Sequence, residues 1–377
     1  VWHKDILGDP WVALTVPLAP IRGHETVATV VSQPRWLTRP DGSSIADEQA
    51  DSHSSVHLPA RSIRAESRVD TASAETGVGT SRPRPETTAV LYIHGLNDYF
   101  FHEHLAEYLA EQGVAFFALD LHGFGRSITD EITRNDAFSL REYGNDLAAA
   151  TTLIKDECGY QNLVILAHST GGLIASLWAH SQTGRETVDG LILNSPWFDL
   201  NRPWLDRTIG TAFVDAVGEY VTDFVLNNDE SNYVRMLHRD IAGDWDFDLN
   251  LKREINSPVR TGFFRAVRAG QARLAEGLDL NCPVLVCTSD RSGHPGDPLP
   301  IKRSSDVVLN VEQIIRRAPL LGRDVEIVQI PGGIHDLALS EYGPRIDYFK
   351  ALGHWLRAHR FAGPPLVGYE LHSLPFR

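Results

Sequence analysis

The sequence predicts an α/β protein: a mostly parallel central β-sheet flanked by helices, with an inserted helical cap. Three observations carry this expectation. From Thr88 onward, short apolar and β-branched runs alternate with helix-length stretches, the pattern of strands joined by crossover helices. One strand-to-helix junction reads Ala167-His168-Ser169-Thr170-Gly171-Gly172, directly after the apolar run Leu163 to Leu166. The alternation stops between Ser195 and about Leu278, where helical, aromatic-rich sequence takes over, and then it resumes.

The elements follow in order. Two strands with near-alternating apolar residues open the chain, Trp11 to Leu18 and Glu25 to Ser32. Residues 34–87 are crowded with Ser, Asp, Glu, Arg, Thr and Pro. Such a stretch buries too little apolar surface to offset its ordering entropy and is expected as a flexible insertion. Ala89 to Ile93 is a strand, His102 to Gln112 a helix and Val114 to Leu119 a strand. Ser139 to Asp156 is a helix, Leu163 to Leu166 a strand, Thr170 to His180 a helix and Leu191 to Leu193 a strand. Residues 195–278 form the expected cap. After it come strand Pro283 to Cys287, helix Val307 to Arg317, strand Val325 to Ile330 and helix Ile346 to His359. Residues 1–33, 88–194 and 279–377 are thus the expected core domain.

Composition narrows the function classes. The 377 residues are 42% hydrophobic, which suits a protein with a real core. A formal net charge of −14 argues against nucleic acid as a partner. No run approaches the roughly 20 apolar residues of a membrane-spanning helix. The opening Val-Trp-His-Lys-Asp lacks the basic-then-apolar pattern of a signal peptide. Cys158, Cys282 and Cys287 form neither a disulfide framework nor a metal-ligand spacing. These features together lead to the expectation of a cytoplasmic protein with reduced thiols, no metal and no organic cofactor.

The chemistry gathers around Ser169. A serine on a tight strand-to-helix bend holds its hydroxyl clear of the backbone, provided that the positions two before and two after it are small. Ala167 and Gly171 meet that demand. A serine hydroxyl needs a base, an orienting acid and an oxyanion site. His335, in Pro331-Gly332-Gly333-Ile334-His335-Asp336, follows the last strand and is the expected base. The amide of Thr170 and that of Leu96, in Tyr92-Ile93-His94-Gly95-Leu96-Asn97, are the expected oxyanion donors, with His94 bracing the loop. Two acids compete. Asp290 lies just past the strand from Pro283, and Asp306 lies sixteen residues later at the expected start of a helix. The spacing 335 − 306 = 29 suits one helix plus one strand and favours Asp306 over Asp290.

These residues resemble the α/β-hydrolase superfamily, and more narrowly its lysophospholipase and monoacylglycerol lipase-like branch, also grouped as serine aminopeptidase-like. The resemblance runs from about Thr88 to Leu356. It rests on Tyr-Ile-His-Gly at 92–95, Leu-Asp-Leu-His-Gly-Phe-Gly-Arg-Ser at 119–127, His-Ser-Thr-Gly-Gly at 168–172, Asn-Ser-Pro at 194–196 and His-Asp at 335–336. It implies that Ser169, Asp306 and His335 form a catalytic triad in the chain order of these enzymes. The departures are Ala167 in the elbow, the insertion at 34–87 and the loop before Asp306.

The implied reaction is acyl transfer to water. Cap aromatics walling an apolar pocket would favour a small hydrophobic ester, such as a medium-chain ester, a monoacylglycerol or a lactone. Tyr233 and Trp245 are the cap residues placed as candidate ligand contacts. Amide or peptide hydrolysis, or carbon–carbon cleavage beside a ketone, is the alternative on the same triad. An aminopeptidase would use acidic groups such as Asp215, Glu219, Asp223, Asp229 and Glu230 to hold a free amine. A non-catalytic binding protein of the same fold is the remote alternative. Serine at the elbow disfavours an Asp-nucleophile enzyme.

Overall fold

Among the described residues nine strands make one sheet in the order β1-β2-β3-β5-β4-β6-β7-β10-β11, and β8 and β9 pair antiparallel apart from it. In chain order the strands are β1 (His3–Lys4), β2 (Val12–Ile21), β3 (His24–Ser32), β4 (Thr88–Ile93), β5 (Ala115–Asp120) and β6 (Asn162–His168). They continue as β7 (Gly190–Asn194), β8 (Val225–Asn227), β9 (Val259–Arg260), β10 (Val284–Ser289) and β11 (Val325–Ile330). The helices are α1 (Glu103–Glu111), α2 (Gly144–Thr152), α3 (Thr170–Ser181), α4 (Asn232–Leu237), α5 (Thr261–Ala275), α6 (Leu299–Lys302), α7 (Val311–Arg317) and α8 (Tyr342–Ala358). The computed structural model describes residues 1–39, 43–46, 87–130, 134–185, 187–200, 225–227, 232–255 and 259–363.

The first three strands pair antiparallel, and β3 joins β5 antiparallel. From β5 to β11 every pairing is parallel. Strands covered on both faces must be apolar throughout, and every residue of β4 and β5 is buried. Alternate residues of β4 serve two cores. Ala89, Leu91 and Ile93 face the cluster that holds Leu119, Leu173 and Phe263. Val90 and Tyr92 face the cluster of Phe116, Leu166, Phe349 and Trp355. The parallel sheet points the carboxyl ends of β4, β6 and β11 toward one edge, where the loops carrying Leu96, Ser169 and His335 emerge.

The structure differs from the sequence expectations in four places. The helix expected over 139–156 is a capped 3₁₀ turn (Leu140–Tyr143), then α2, then a π-turn (Leu153–Glu157). Ser139 and Glu142 form a reciprocal capping box at its start. Within 34–87, Leu37 and Ile45 are buried in the main core, so the described start of that polar stretch is anchored; residues 40–42 and 47–86 lie outside the described residues. Within 195–278, helix α5 lies against the core rather than over it, with Phe263, Val267 and Leu274 in the main cluster. Finally, Asp306 precedes α7 by a turn, because Asn310 is the residue that caps that helix.

Within the segment expected as a cap, residues 233–251 sit on a small apolar cluster of their own. Tyr99, Phe101, Val234, Met236, Leu237, Phe247, Ile334 and Leu339 join cap residues to the loops after β4 and β11.

Candidate active site

Ser169 occupies the bend between β6 and α3 with φ 52° and ψ −116°, a left-handed conformation unusual for a residue with a Cβ. Its amide donates to the Asn194 carbonyl at 3.0 Å, and its own carbonyl accepts from Gly172 and Trp197, each at 3.0 Å. A Cβ on Gly171 would collide with the His94 carbonyl oxygen, and one on Gly172 would lie 2.8 Å from the Pro196 side chain. Those glycines let the elbow nest between β4 and the loop after β7.

The structure brings Ser169, His335 and Asp306 together. Ser169 Oγ lies 3.0 Å from His335 Nε2, and His335 Nδ1 lies 2.9 Å from Asp306 Oδ2. With Nδ1–H donating to the carboxylate, Nε2 keeps its lone pair for the serine hydroxyl. Asp306 Oδ1 accepts from the amides of Val308 and Leu309, both at 2.8 Å, which leaves Oδ2 to the imidazole. All three residues are buried, Ser169 at 7% exposure. Asp290 is not brought to His335. It is exposed, and its Oδ1 accepts from the Gly332 amide at 3.0 Å, tying down the glycine turn that leads to the histidine.

The loop after β4 lies beside the serine, since a Cβ on Gly95 would stand 3.1 Å from Ser169 Cβ. Among the described residues the amides of Leu96 and Thr170 donate to no other group. His94 braces the loop. Its Nδ1 donates to the Gly95 carbonyl at 2.7 Å, and its Nε2 accepts from the Leu121 amide at 3.1 Å. In the neighbouring turn Ser127 Oγ donates to the Asp120 carbonyl at 2.7 Å, and a Cβ on Gly125 would collide with the Asp120 carboxylate.

Of the two cap candidates, Tyr233 adjoins this array and Trp245 does not. Tyr233 OH accepts from the Asp336 amide at 2.8 Å, and its ring meets the His335 ring edge-on at 5.7 Å. Trp245 instead donates from Nε1 to the Leu339 carbonyl at 2.8 Å and stacks on His104 at 4.6 Å. Trp204, Phe213, Tyr220 and Phe224, with the five acidic cap residues, lie outside the described residues.

A second buried polar layer stands behind the array, and sequence reasoning missed most of it. Asp336 Oδ2 pairs with His102 Nε2 at 2.9 Å, and its Oδ1 accepts from Asn194 Nδ2 at 2.8 Å. His168 Nδ1 donates to the Asn194 carbonyl at 3.1 Å. Burial lowers the His168 pKa to about 4. Burial alone would raise the Asp336 carboxyl, but His168, His102 and Lys252 outweigh it and hold it well below the usual range. The pair His335-Asp336 is visible in the sequence. Nothing in the sequence pattern singles out Lys252 or Asp98, which meet across the chain. Asp98, His168 and Asp336 also form, among the described residues, a group with metal-ligand spacing, their ligand atoms within 4.8 Å of one another. The Lys252 ammonium stands 2.7 Å from Asp98 Oδ1, so a cation of the chain itself already faces that corner.

A left-handed serine at a strand-to-helix bend, on a sheet of this order and direction, defines the class: the fold is that of the α/β-hydrolases. Residues 84–340 match the serine aminopeptidase S33 family of hydrolases, and the chain belongs to it. Among solved structures, a soluble variant of the Saccharomyces cerevisiae monoglyceride lipase, crystallised with a substrate analogue, is 12% identical with a TM-score of 0.58. That match covers 92% of this chain and 97% of the other. The monoacylglycerol lipase of Paleococcus ferrophilus is 18% identical with a TM-score of 0.55, over 72% of this chain and 94% of that one. A putative hydrolase from Agrobacterium vitis is 14% identical with a TM-score of 0.55. No curated protein sequence gives a significant match. Among the described residues no helix is long and apolar enough to cross a membrane.

Proposed function

We propose that this protein is a serine esterase, cleaving a carboxylic ester with a hydrophobic acyl or alcohol part through an acyl-enzyme. The observation that carries this reading is the continuous hydrogen-bonded line Ser169 Oγ–His335 Nε2, His335 Nδ1–Asp306 Oδ2, at 3.0 and 2.9 Å. In this mechanism His335 takes the Ser169 proton as Oγ attacks the ester carbonyl. The amides of Leu96 and Thr170 hold the oxyanion, and donors free of other partners suit that task. Asp306 keeps Nδ1 protonated and stabilises the imidazolium. His335 then returns the proton to the departing alkoxide. Water, deprotonated by the same imidazole, attacks the acyl-enzyme and releases the acid and Ser169.

The substrate class rests on the surroundings of the serine and on the structural neighbours. The serine is nearly enclosed, and the cap seat around Phe101, Phe247 and Ile334 is apolar. Two structural neighbours are monoacylglycerol lipases. A lipid-like ester, a monoacylglycerol or a lactone fits these features. The test is turnover of nitrophenyl esters from C2 to C16 by the wild type and by Ser169→Ala. Turnover that disappears in the variant supports the esterase, and the chain-length optimum sizes its pocket. An inactive wild type that cleaves aminoacyl amides would replace the esterase with an aminopeptidase.

A further inference from the structure

We propose that Lys252 is a positioning residue for this reaction: its buried ammonium ties the segment Asp248–Arg253 to the loop that carries Leu96, at a corner that also holds the neighbours of Ser169 and His335. The inference rests on the esterase reading above. Lys252 is 3% exposed and Asp98 2%, with Nζ–Oδ1 at 2.7 Å. A buried ion pair is expensive to desolvate and is weak support for stability, so its location has to explain it.

That location is specific. The three groups clustered at this corner are Asp98, His168 and Asp336. Asp98 is two residues past Leu96, His168 is the residue before Ser169, and Asp336 is the residue after His335. One ammonium therefore stands at a corner built from residues one or two positions from Leu96, Ser169 and His335. Two carboxylates meet there; Asp336 has His102 Nε2 at 2.9 Å, so without the lysine it is Asp98 that would be left buried without the cation it faces.

The same cap segment grips the loop at three consecutive residues. Asn97 Nδ2 donates to the Arg253 carbonyl at 2.9 Å, and the Arg253 amide returns a bond to Asn97 Oδ1 at 3.4 Å. Asp98 takes Lys252. The Tyr99 hydroxyl accepts from the Asp248 amide at 2.8 Å. Asn97 is held with φ 52°, a left-handed turn that aims the backbone directly after Leu96. Phe101 and Phe247 pack around the lysine, 5.2 and 5.7 Å from Nζ, and keep water from the pair. The Leu96 amide is thus aimed by a segment far along the chain, and it is in register when that segment is seated.

The test compares wild type, Lys252→Met, the neutral double variant Asp98→Asn/Lys252→Met, and Asn97→Gly, with Ser169→Ala as reference. Asn97→Gly keeps the backbone turn and removes the bonds to Arg253. Each is assayed on a nitrophenyl ester, with functional serines counted by fluorophosphonate titration and the oxyanion site read by affinity for a trifluoromethyl ketone. The expected result is a kcat per titrated site lower by about 10- to 100-fold at nearly constant KM. Ketone affinity should fall in parallel. A merely structural pair would lower the melting temperature and leave kcat per titrated site unchanged in the double variant, which overturns the proposal. If the lysine variants do not fold, Asp98→Asn, which removes the same pair from the loop side, replaces them, and full kcat per titrated site there overturns the proposal equally. Wild-type turnover that survives Ser169→Ala would overturn the esterase reading itself, whatever the lysine variants do.

Discussion

At the scale of single residues, the two candidate acids separate by what each carboxylate touches. Asp306 places Oδ2 on His335 and spends Oδ1 on two amides, whereas Asp290 reaches only the Gly332 amide. Asp306→Asn presents an amide that cannot hold Nδ1 protonated, so kcat should fall by about 10⁴-fold. Asp290→Asn should leave kcat close to wild type, and steady-state kinetics of the two variants side by side checks both. Ser169→Ala should cost about as much as losing the whole array, on the order of 10⁶-fold by analogy with other triads. Spacing along the chain made Asp306 the better acid. Its setting at a helix start was misread, since Val307 to Leu309 read as helix while Asn310 caps the helix that forms.

At the scale of elements, the strand–bend–helix unit β6–Ser169–α3 was legible because its demands are local. An apolar β-branched run, a serine and two glycines specify it wherever it sits. Gly171→Ala places a methyl group against the His94 carbonyl, and backbone cannot yield as a flexible side chain does. It should destabilise the fold by about 1–3 kcal/mol, read from urea midpoints, and the folded fraction should lose activity as Ser169 shifts. Helix α5 was harder. Its amphipathic pattern declares that one face is buried but not which layer it covers, and Phe263 and Val267 chose the main core. Leu37 and Ile45 were likewise invisible among polar neighbours until the fold gave them a cavity to fill.

At the scale of the whole molecule, two histidines set the response to acid, His168 buried and His104 half-buried. Burial lowers the His104 pKa to about 3 and the His168 pKa to about 4. Both ionise near 6.5 once unfolded, so below that pH the unfolded chain binds protons the native state refuses. Stability should be full above about pH 6.5 and decline as pH falls toward 4, by up to about 1.4 kcal/mol per pH unit for each histidine. Urea midpoints from pH 7.5 to 4.5 would show this, and His104→Gln should make the decline shallower. A flat profile would show that these imidazoles protonate in place. Contacts of this kind, like Lys252 with Asp98, join distant stretches of chain, and no local pattern announces them.

The sheet has one further consequence, for how copies of the molecule meet. At one margin the two-residue strand His3–Lys4 pairs only Val12 and Ala13 of β2, whose remaining length carries Pro17 and Pro20; the other margin is Val325–Ile330, which turns Glu326 and Gln329 to solvent. An edge interrupted by prolines and an edge bearing a charge are poor templates for strand addition. The fully buried strands β4 and β5 lie in the middle, so crowding the protein to high concentration should not seed edge-to-edge stacking into fibrils.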